Sequence, residues 1–533
     1  MQKQTLAVLD YLVILAYMLA MVWMGWYFSK RQKDTDHYYA GNRRIPSWAV
    51  GISILATLIS SVTFLAYPGA GYSGNWILLV QGLMVPIVLL AVLWIIVPVY
   101  REAIRLSAYE YFEKRFSYAS RLYTSLAFSV MHFTKMGTVV YLLSLALSGM
   151  TGWDIYLVIA VVSLATLIYT LIGGIEAVVW TDVVQGFLFL AGGLACILIL
   201  LFRPEGGPAA VVGLAWKNGK IDLGPYDLDF VKLTFVVMAI NGIFYALQKY
   251  GTDQTIVQRF LLAKDDRSAI RATLLGALLC VPTWTAFIFI GTCLWSFYRI
   301  TGIPLPPDIK SDGVFPYFIM TELPAGVTGL ILSALLAAAM STLASDLNCL
   351  SAVAVEDYYR RLRPHATDKK RLAVGKGVVL VCGLVTLLVA AYFAGAGEKS
   401  VLGSLFELYA IFSGGIVGLF ALAFFTRRAN RKGAIVGIVA CILFTAWAVL
   451  SSPIKWGGEK MILLDLGAWG YRHHNMMLGV YSHIVLFVVG YAASLFFKHE
   501  APPRSLTIHG WLERRRARQA VSVSGPWTPD GGL

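Results

Sequence analysis

The sequence predicts an all-α polytopic membrane protein. It should have thirteen transmembrane helices, ten of them in an inverted five-plus-five repeat, with one extra helix before and two after. Three observations predict this. Of 533 residues, 58% are hydrophobic and only 14% charged, against about 25% charged in a soluble globular protein. Apolar stretches of about 20 residues, the length that crosses a bilayer, recur along the chain. One of them, Ser47 to Trp76, is interrupted by Ser60, Ser61 and Thr63 and then by Pro68, Gly69 and Gly71. Pro removes a backbone donor, and Gly lowers the cost of irregular backbone. Irregular backbone survives at membrane depth only where it is buried in protein or lines a cavity. Broken helices of this kind hold substrate and coupling ion in secondary transporters. A Pro-kinked helix packed by small hydroxyls is the plain alternative for this stretch taken alone.

The spans are placed at 8–28, 47–66, 76–99, 122–148, 154–173, 178–202, 231–249, 272–298, 325–353, 372–394, 402–425, 433–450 and 478–497. The first apolar run is as long as a full span and no small-residue cleavage site follows it, so it reads as a retained helix rather than a signal peptide. The corresponding segments are an N-terminal helix and loop (1–46), a first repeat (47–202), a second repeat (203–425), two C-terminal helices (426–498) and a basic tail (499–533).

Charge supports the count. With the N-terminus outside, 31 of the 44 Lys and Arg fall in cytoplasmic loops and the C-terminal tail, as the positive-inside rule requires. An even number of spans would break that alternation. The net charge of +14 therefore reflects membrane topology and not a nucleic-acid partner. The six cysteines all lie in apolar stretches and none forms a CxxC, so disulfide and zinc frameworks do not fit. Two outside loops, 203–230 and 299–324, are long enough to fold over an outer vestibule. The tail from His499 reads as loosely ordered, with Trp511 to Arg518 as a piece suited to anionic lipid. The repeat follows from direction. Helix two runs outward and is broken. Helix seven runs inward, carries Asn241, Gly242, Gln248 and Lys249, and is followed by Gly251. Two interrupted spans, five helices apart and opposed, fit an inverted repeat.

Four stretches in order, SKRQKDTDHYYAGNRRIPSWAVG, GGIEAVVWTDVVQG, GTDQTIVQRFLLAKD and LAAAMSTLASDLN, resemble the sodium:solute symporter family. The likeness runs from about residue 8 to 450. Within the family it is closest to the bacterial sialic-acid symporter branch, through YFSKRQK, SSVTF and GGIEAVVWTDVVQG. The resemblance implies a ten-helix core of the LeuT type and Na+ as coupling ion.

It also implies site residues. The shared sodium site maps to Ala56 and Ile59, through backbone carbonyls, and to Ala338, Ser341 and Thr342. The chemistry agrees, because sodium needs several neutral oxygens and a helix frees carbonyls only where its ladder breaks. The alternative for Ser341 and Thr342 is bonding back to their own helix. A possible second sodium site comprises Asp182, Ser345 and Asp346. Ser341 and Ser345 share a face, but Ala344 stands where the branch has a hydroxyl. Asp182 alternatively answers the dipole of its helix's first turn. Asp346 either replaces the lost hydroxyl ligand or pairs with a basic residue.

For substrate, Lys135 lies about 20 Å along helix four, where a charge needs a partner or a cavity. The branch has Arg there, meeting the substrate carboxylate. Lys keeps the charge without the bidentate fork. A structural ion pair with Asp346 or Asp182 is the alternative. Ser60 and Thr63 match substrate-bonding positions. Leu58 replaces a Thr, and Gly82 stands where Gln is expected, with Gln81 beside it. These changes suggest a ligand less hydroxylated than sialic acid, such as a small monocarboxylate or another sugar acid. Phe244 and Tyr245, at the expected break of helix seven, form an aromatic lid or plain packing.

The expected function is sodium-coupled import of an anionic sugar or monocarboxylate by alternating access, in a bacterial inner membrane. Its partners are a small-molecule substrate and the lipid bilayer, with no nucleic acid, and the protein acts as a monomer. Rivals are a sodium/neutral sugar symporter and a proton-coupled transporter using Asp182 or Asp346. No HExxH, GxSxG, CxxC or nucleotide loop supports an enzyme, and the tail carries no output domain that would support a receptor.

Overall fold

In the computed structural model, which describes residues 6–30, 32, 34–396, 414–456, 459–498 and 502–523, helices follow the apolar stretches of the sequence. Unpaired backbone groups are costly in hydrocarbon, and a helix satisfies them within one segment. In chain order the helices are α1 (Val8–Ser29), α2 (Thr35–Ala40), α3 (Ser47–Leu58), α4 (Ser61–Ser73), α5 (Leu79–Ala103), α6 (Glu110–Arg115) and α7 (Tyr118–Thr151). Then come α8 (Ile155–Phe202), α9 (Gly207–Lys217), α10 (Phe235–Gly251), α11 (Gln254–Leu262), α12 (Asp266–Thr301), α13 (Ser311–Glu322) and α14 (Val327–Leu362). The last are α15 (Asp368–Ala396), α16 (Ile416–Phe425), α17 (Arg431–Leu450), α18 (Asn475–Phe496) and α19 (Ile508–Val523). A small antiparallel hairpin, β1 (Ile454–Trp456) with β2 (Glu459–Met461), joins α17 to α18 and is the one departure from an all-helical reading among the described residues.

Among the described residues, eight helices are long and apolar enough to cross a membrane, and two bent pairs raise this to ten. The long α8 covers two expected spans, 154–173 and 178–202. Gly174 divides them at φ 60°, ψ −163°, a conformation open to glycine and little else. Of the expected span 402–425, residues 402–413 lie outside the described residues and the rest is α16.

The second span is broken, but not at its Pro and Gly residues. α3 and α4 meet at a bend of 58°. Ile59 and Ser60 are extended, and the Ser60 hydroxyl caps α4 by accepting from the Val62 amide at 3.2 Å. Pro68, Gly69 and Gly71 lie inside α4. A Cβ on Gly71 would strike the Ile288 carbonyl, and one on Gly291 would strike the Pro68 carbonyl. These small residues therefore let α4 and α12 touch backbone to backbone, as packed membrane helices do.

Helix seven is corrected in the same way. α10 is unbroken from Phe235 to Gly251. The break falls at Thr252 and Asp253, where Asp253 caps α11 by accepting from the Thr255 amide at 2.8 Å. Gly242 faces the Gln81 carbonyl of α5, which a Cβ would approach to 2.7 Å.

The long loops are partly helical. α9 and α13 occupy 203–230 and 299–324, and Lys220 Nζ donates to the Tyr72 carbonyl at 2.7 Å, tying the first loop to the end of α4. Of the tail, the described residues 502–523 form a short 3₁₀ turn and α19 rather than a loose segment. Leu506 and Trp511 are buried, and the Leu506 carbonyl accepts from Tyr111 Oη of α6 at 2.7 Å. Arg115 of α6 donates to the carbonyls of Ala423, Thr426 and Ala429 at 3.0–3.1 Å, closing the end of α16.

Candidate functional site

The break in the second span frees backbone oxygens. A helix end leaves its last carbonyls without amide partners. The Leu55 carbonyl is taken by the Ile59 amide at 3.0 Å. The next turn is interrupted, so Ala56 and Ile59 offer their carbonyls elsewhere. α14 answers them, buried along nearly its whole length. Ser341 Oγ lies 3.0 Å from the Ala56 carbonyl and 3.2 Å from that of Ala338. Thr342 Oγ1 lies 3.1 Å from the Ile59 carbonyl and 3.2 Å from that of Ala338. Each hydroxyl has one proton for two acceptors, so the helix's own Ala338 carbonyl competes with the partners across the break.

Five neutral oxygens thus converge from two non-adjacent helices: those of Ala56, Ile59, Ala338, Ser341 and Thr342. A hard cation prefers oxygen ligands, and turning the two O–H bonds away would present hydroxyl lone pairs to it. A small cavity bounded by Ala56, Ile59, Gln185, Phe189, Ala338 and Ser341 adjoins the cluster. The donor set fits a sodium ion.

Asp182 and Ser345 also come together, around a guanidinium from α11. Arg259 of α11 is fully buried. Its Nη2 donates to Ser345 Oγ at 2.6 Å and lies 3.4 Å from Asp182 Oδ2. Ser53 Oγ donates to the same carboxylate at 2.6 Å, and Thr57 Oγ1 meets Ser345 Oγ at 3.1 Å. The guanidinium therefore stands between the two expected ligands. Asp346, one residue on, turns to other partners. Its carboxylate lies 3.0 Å from Lys135 Nζ and 3.0 Å from His132 Nδ1.

That pair opens a chain of buried charge. His132 Nε2 lies 3.3 Å from Asp253 Oδ2, which accepts from Lys249 Nζ at 2.6 Å. Lys135, Asp346, His132, Asp253 and Lys249 are all buried. Burying charges is costly unless each is paired, and here every member has an opposite or hydrogen-bonding neighbour.

The solute side of the break holds a cavity of about 120 Å³, several times the about 10–15 Å³ that one water needs. Ser60, Thr63, Gln81, Lys135, Phe244 and Tyr245, named from sequence as substrate contacts, all line it, with Leu58 among them. Five helices bring them there: α3, α4 with its cap, α5, α7 and α10.

Other residues also line it. Trp284 of α12 is one. A Cβ on Gly82 would come within 2.5 Å of its ring, so the missing amide at 82 is the space an indole fills. Met476, Gly479, Val480 and His483 are four more. They come from α18, which the sequence reading set outside the core. Asn241 Nδ2 of α10 donates to the Met476 carbonyl at 2.8 Å and fixes the two helices together.

Known proteins similar to this chain bear on its family and fold. The family model of the sodium:solute symporter family matches residues 38–441. The chain is 30% identical to the sodium/sialic acid symporter NanT of Aliivibrio fischeri, over 94% of this chain and 95% of that one. It is 33% identical to the sodium/sialic acid symporter SiaT of Proteus mirabilis, over 85% and 92%. The solved structure of a Na+-coupled sialic acid symporter, substrate-bound and outward-open, superposes with a TM-score of 0.85 at 30% identity, over 93% of this chain and all of that one.

Proposed function

The chain belongs to the sodium:solute symporter family, and from that premise we propose that it imports a small organic acid, an anionic sugar or a monocarboxylate, driven by sodium. The observation that carries this reading is the shared break. Ala56 and Ile59 supply oxygens to the ion cluster, while Ser60 caps the adjoining half-helix and lines the solute cavity. An ion that draws α3 against α14 thereby fixes the edge of the solute site. Coupling follows if sodium binds the two access states with different affinity.

Several finer points belong to the same proposal. The chain crosses a bacterial plasma membrane thirteen times, N-terminus outside and C-terminus in the cytoplasm, and acts as a monomer. Residues 47–202 and 203–425 form the two inverted repeats, with 1–46 before them, 426–498 after, and the basic tail 499–533 last. Ala56, Ile59, Ala338, Ser341 and Thr342 hold the coupling Na+. A second sodium at Asp182 and Ser345 must displace Arg259. Lys135 meets the solute carboxylate, exchanging Asp346 for it.

One observation favours a neutral solute instead. The ammonium of Lys135 already has a carboxylate partner. Uptake into proteoliposomes separates the readings. Accumulation of labelled sugar acids that follows an imposed sodium gradient supports acid symport. Accumulation of neutral sugars only, or uptake that follows a pH gradient and ignores sodium, overturns it.

A further inference from the structure

We propose that His483, on the α18 span outside the ten-helix core, contacts the solute and selects acids that carry a hydroxyl away from their carboxylate. The inference rests on the acid-symport reading and narrows it.

His483 is 2% exposed, yet it lines the same cavity as Ser60 and Lys135. Its Nδ1 is buried and has no hydrogen-bond partner among the described residues. Buried polar atoms are nearly always bonded, and leaving one unmet costs about 1–3 kcal/mol. The residue lines the cavity while this nitrogen points into the wall, and a half-turn of the ring that keeps its plane presents it to a ligand that satisfies it.

The ring is also held in place for the purpose. It stacks on Phe244 with centroids 5.6 Å apart and planes at 15°. Its backbone carbonyl presses on Gly418 of α16, where a Cβ has no room. Asn241 ties the start of α18 to α10. Stacking fixes the ring without using its nitrogens, so their bonding capacity serves something other than the fold.

The ligand chemistry follows from the two ends of the cavity. Lys135 is the sole Lys or Arg among its described lining residues, so an acid places its carboxylate there. A neutral imidazole has one donor and one acceptor nitrogen. A hydroxyl is likewise both, and meets the imidazole in either tautomer. An alkyl chain meets neither, and a site with unmet polar groups discriminates against such a ligand.

The test compares His483→Phe, which keeps the stacked ring and removes both nitrogens, with the unaltered protein and with His483→Gln. Sodium-driven uptake of N-acetylneuraminate, 3-hydroxypropionate and propionate is measured in proteoliposomes. In His483→Phe the KM for the hydroxylated acids should rise about tenfold relative to that for propionate, and His483→Gln should recover part of it. An unchanged KM ratio, or an equal loss for all three acids, overturns the proposal. If His483→Phe does not fold, the unaltered protein decides. Preference for 3-hydroxypropionate over propionate by about tenfold supports the contact, and equal KM values overturn it. Failure of the unaltered protein to take up any acid overturns the acid-symport reading itself, and this inference with it.

Discussion

The ammonium of Lys135 lies 3.0 Å from one carboxylate oxygen of Asp346 and 3.1 Å from the other, with the lysine side chain 9% exposed and the aspartate fully buried. Two roles for the lysine meet in this contact, one in the fold and one toward solute. Removing one partner of a buried pair costs about 3–5 kcal/mol, because the other is left uncompensated. Lys135→Met should therefore melt well below the unaltered protein. Adding Asp346→Asn should restore most of the melting temperature. Acid uptake should stay lost in the double variant, since no cation remains to meet the carboxylate. Recovered uptake would show that the lysine serves the fold alone.

Ser341→Ala with Thr342→Ala removes two of the five oxygens in the ion cluster. At about 1 kcal/mol each, their loss should raise the sodium concentration for half-maximal uptake roughly 30-fold. Maximal uptake at saturating sodium should fall less. An unchanged sodium requirement would place the ion elsewhere.

Arg259 holds the space between Asp182 and Ser345. If a second sodium displaces it during transport, uptake in the unaltered protein rises with sodium at a Hill coefficient near two. Asp182→Asn should then lower that coefficient toward one. A coefficient of one in both proteins means that the guanidinium is the resident cation throughout.

Gly71 and Gly291 let α4 and α12 meet backbone to backbone. Gly291→Ala inserts a methyl where the Pro68 carbonyl sits, and overpacking of this kind costs about 1–3 kcal/mol. The melting temperature should drop, and Gly291→Ser should lower it further. A melt unchanged by either substitution would mean that the helices are not in contact at that point.

The helical class was legible because hydrocarbon leaves the backbone little choice but a helix. Ser60, Thr63, Gln81 and Lys135 were legible because polar atoms stand out in an apolar run. The break at Ser60 was legible for the same reason, but the part of Pro68, Gly69 and Gly71 and the break after helix seven were not. Gly and Pro both loosen a helix and let two helices approach, and Gly69, Gly71 and Gly242 serve the second purpose. The stop is set instead by a cap, Ser60 in one case and Asp253 in the other. Pairings such as Asp346 with His132 lie more than 200 residues apart in sequence and leave no local pattern. Trp284 and His483 sit among apolar residues and look like packing. Gly82 was the available signal for the indole, since a small residue where a large one is expected leaves volume for another side chain to fill.

The cavity's walls have a consequence for biosynthesis. Ser60 and Thr63 leave the ribosome early, while Met476 and His483 leave it more than 400 residues later. At roughly 5–20 residues per second, tens of seconds separate them. During that interval the nascent chain lacks the wall that Met476, Gly479, Val480 and His483 supply.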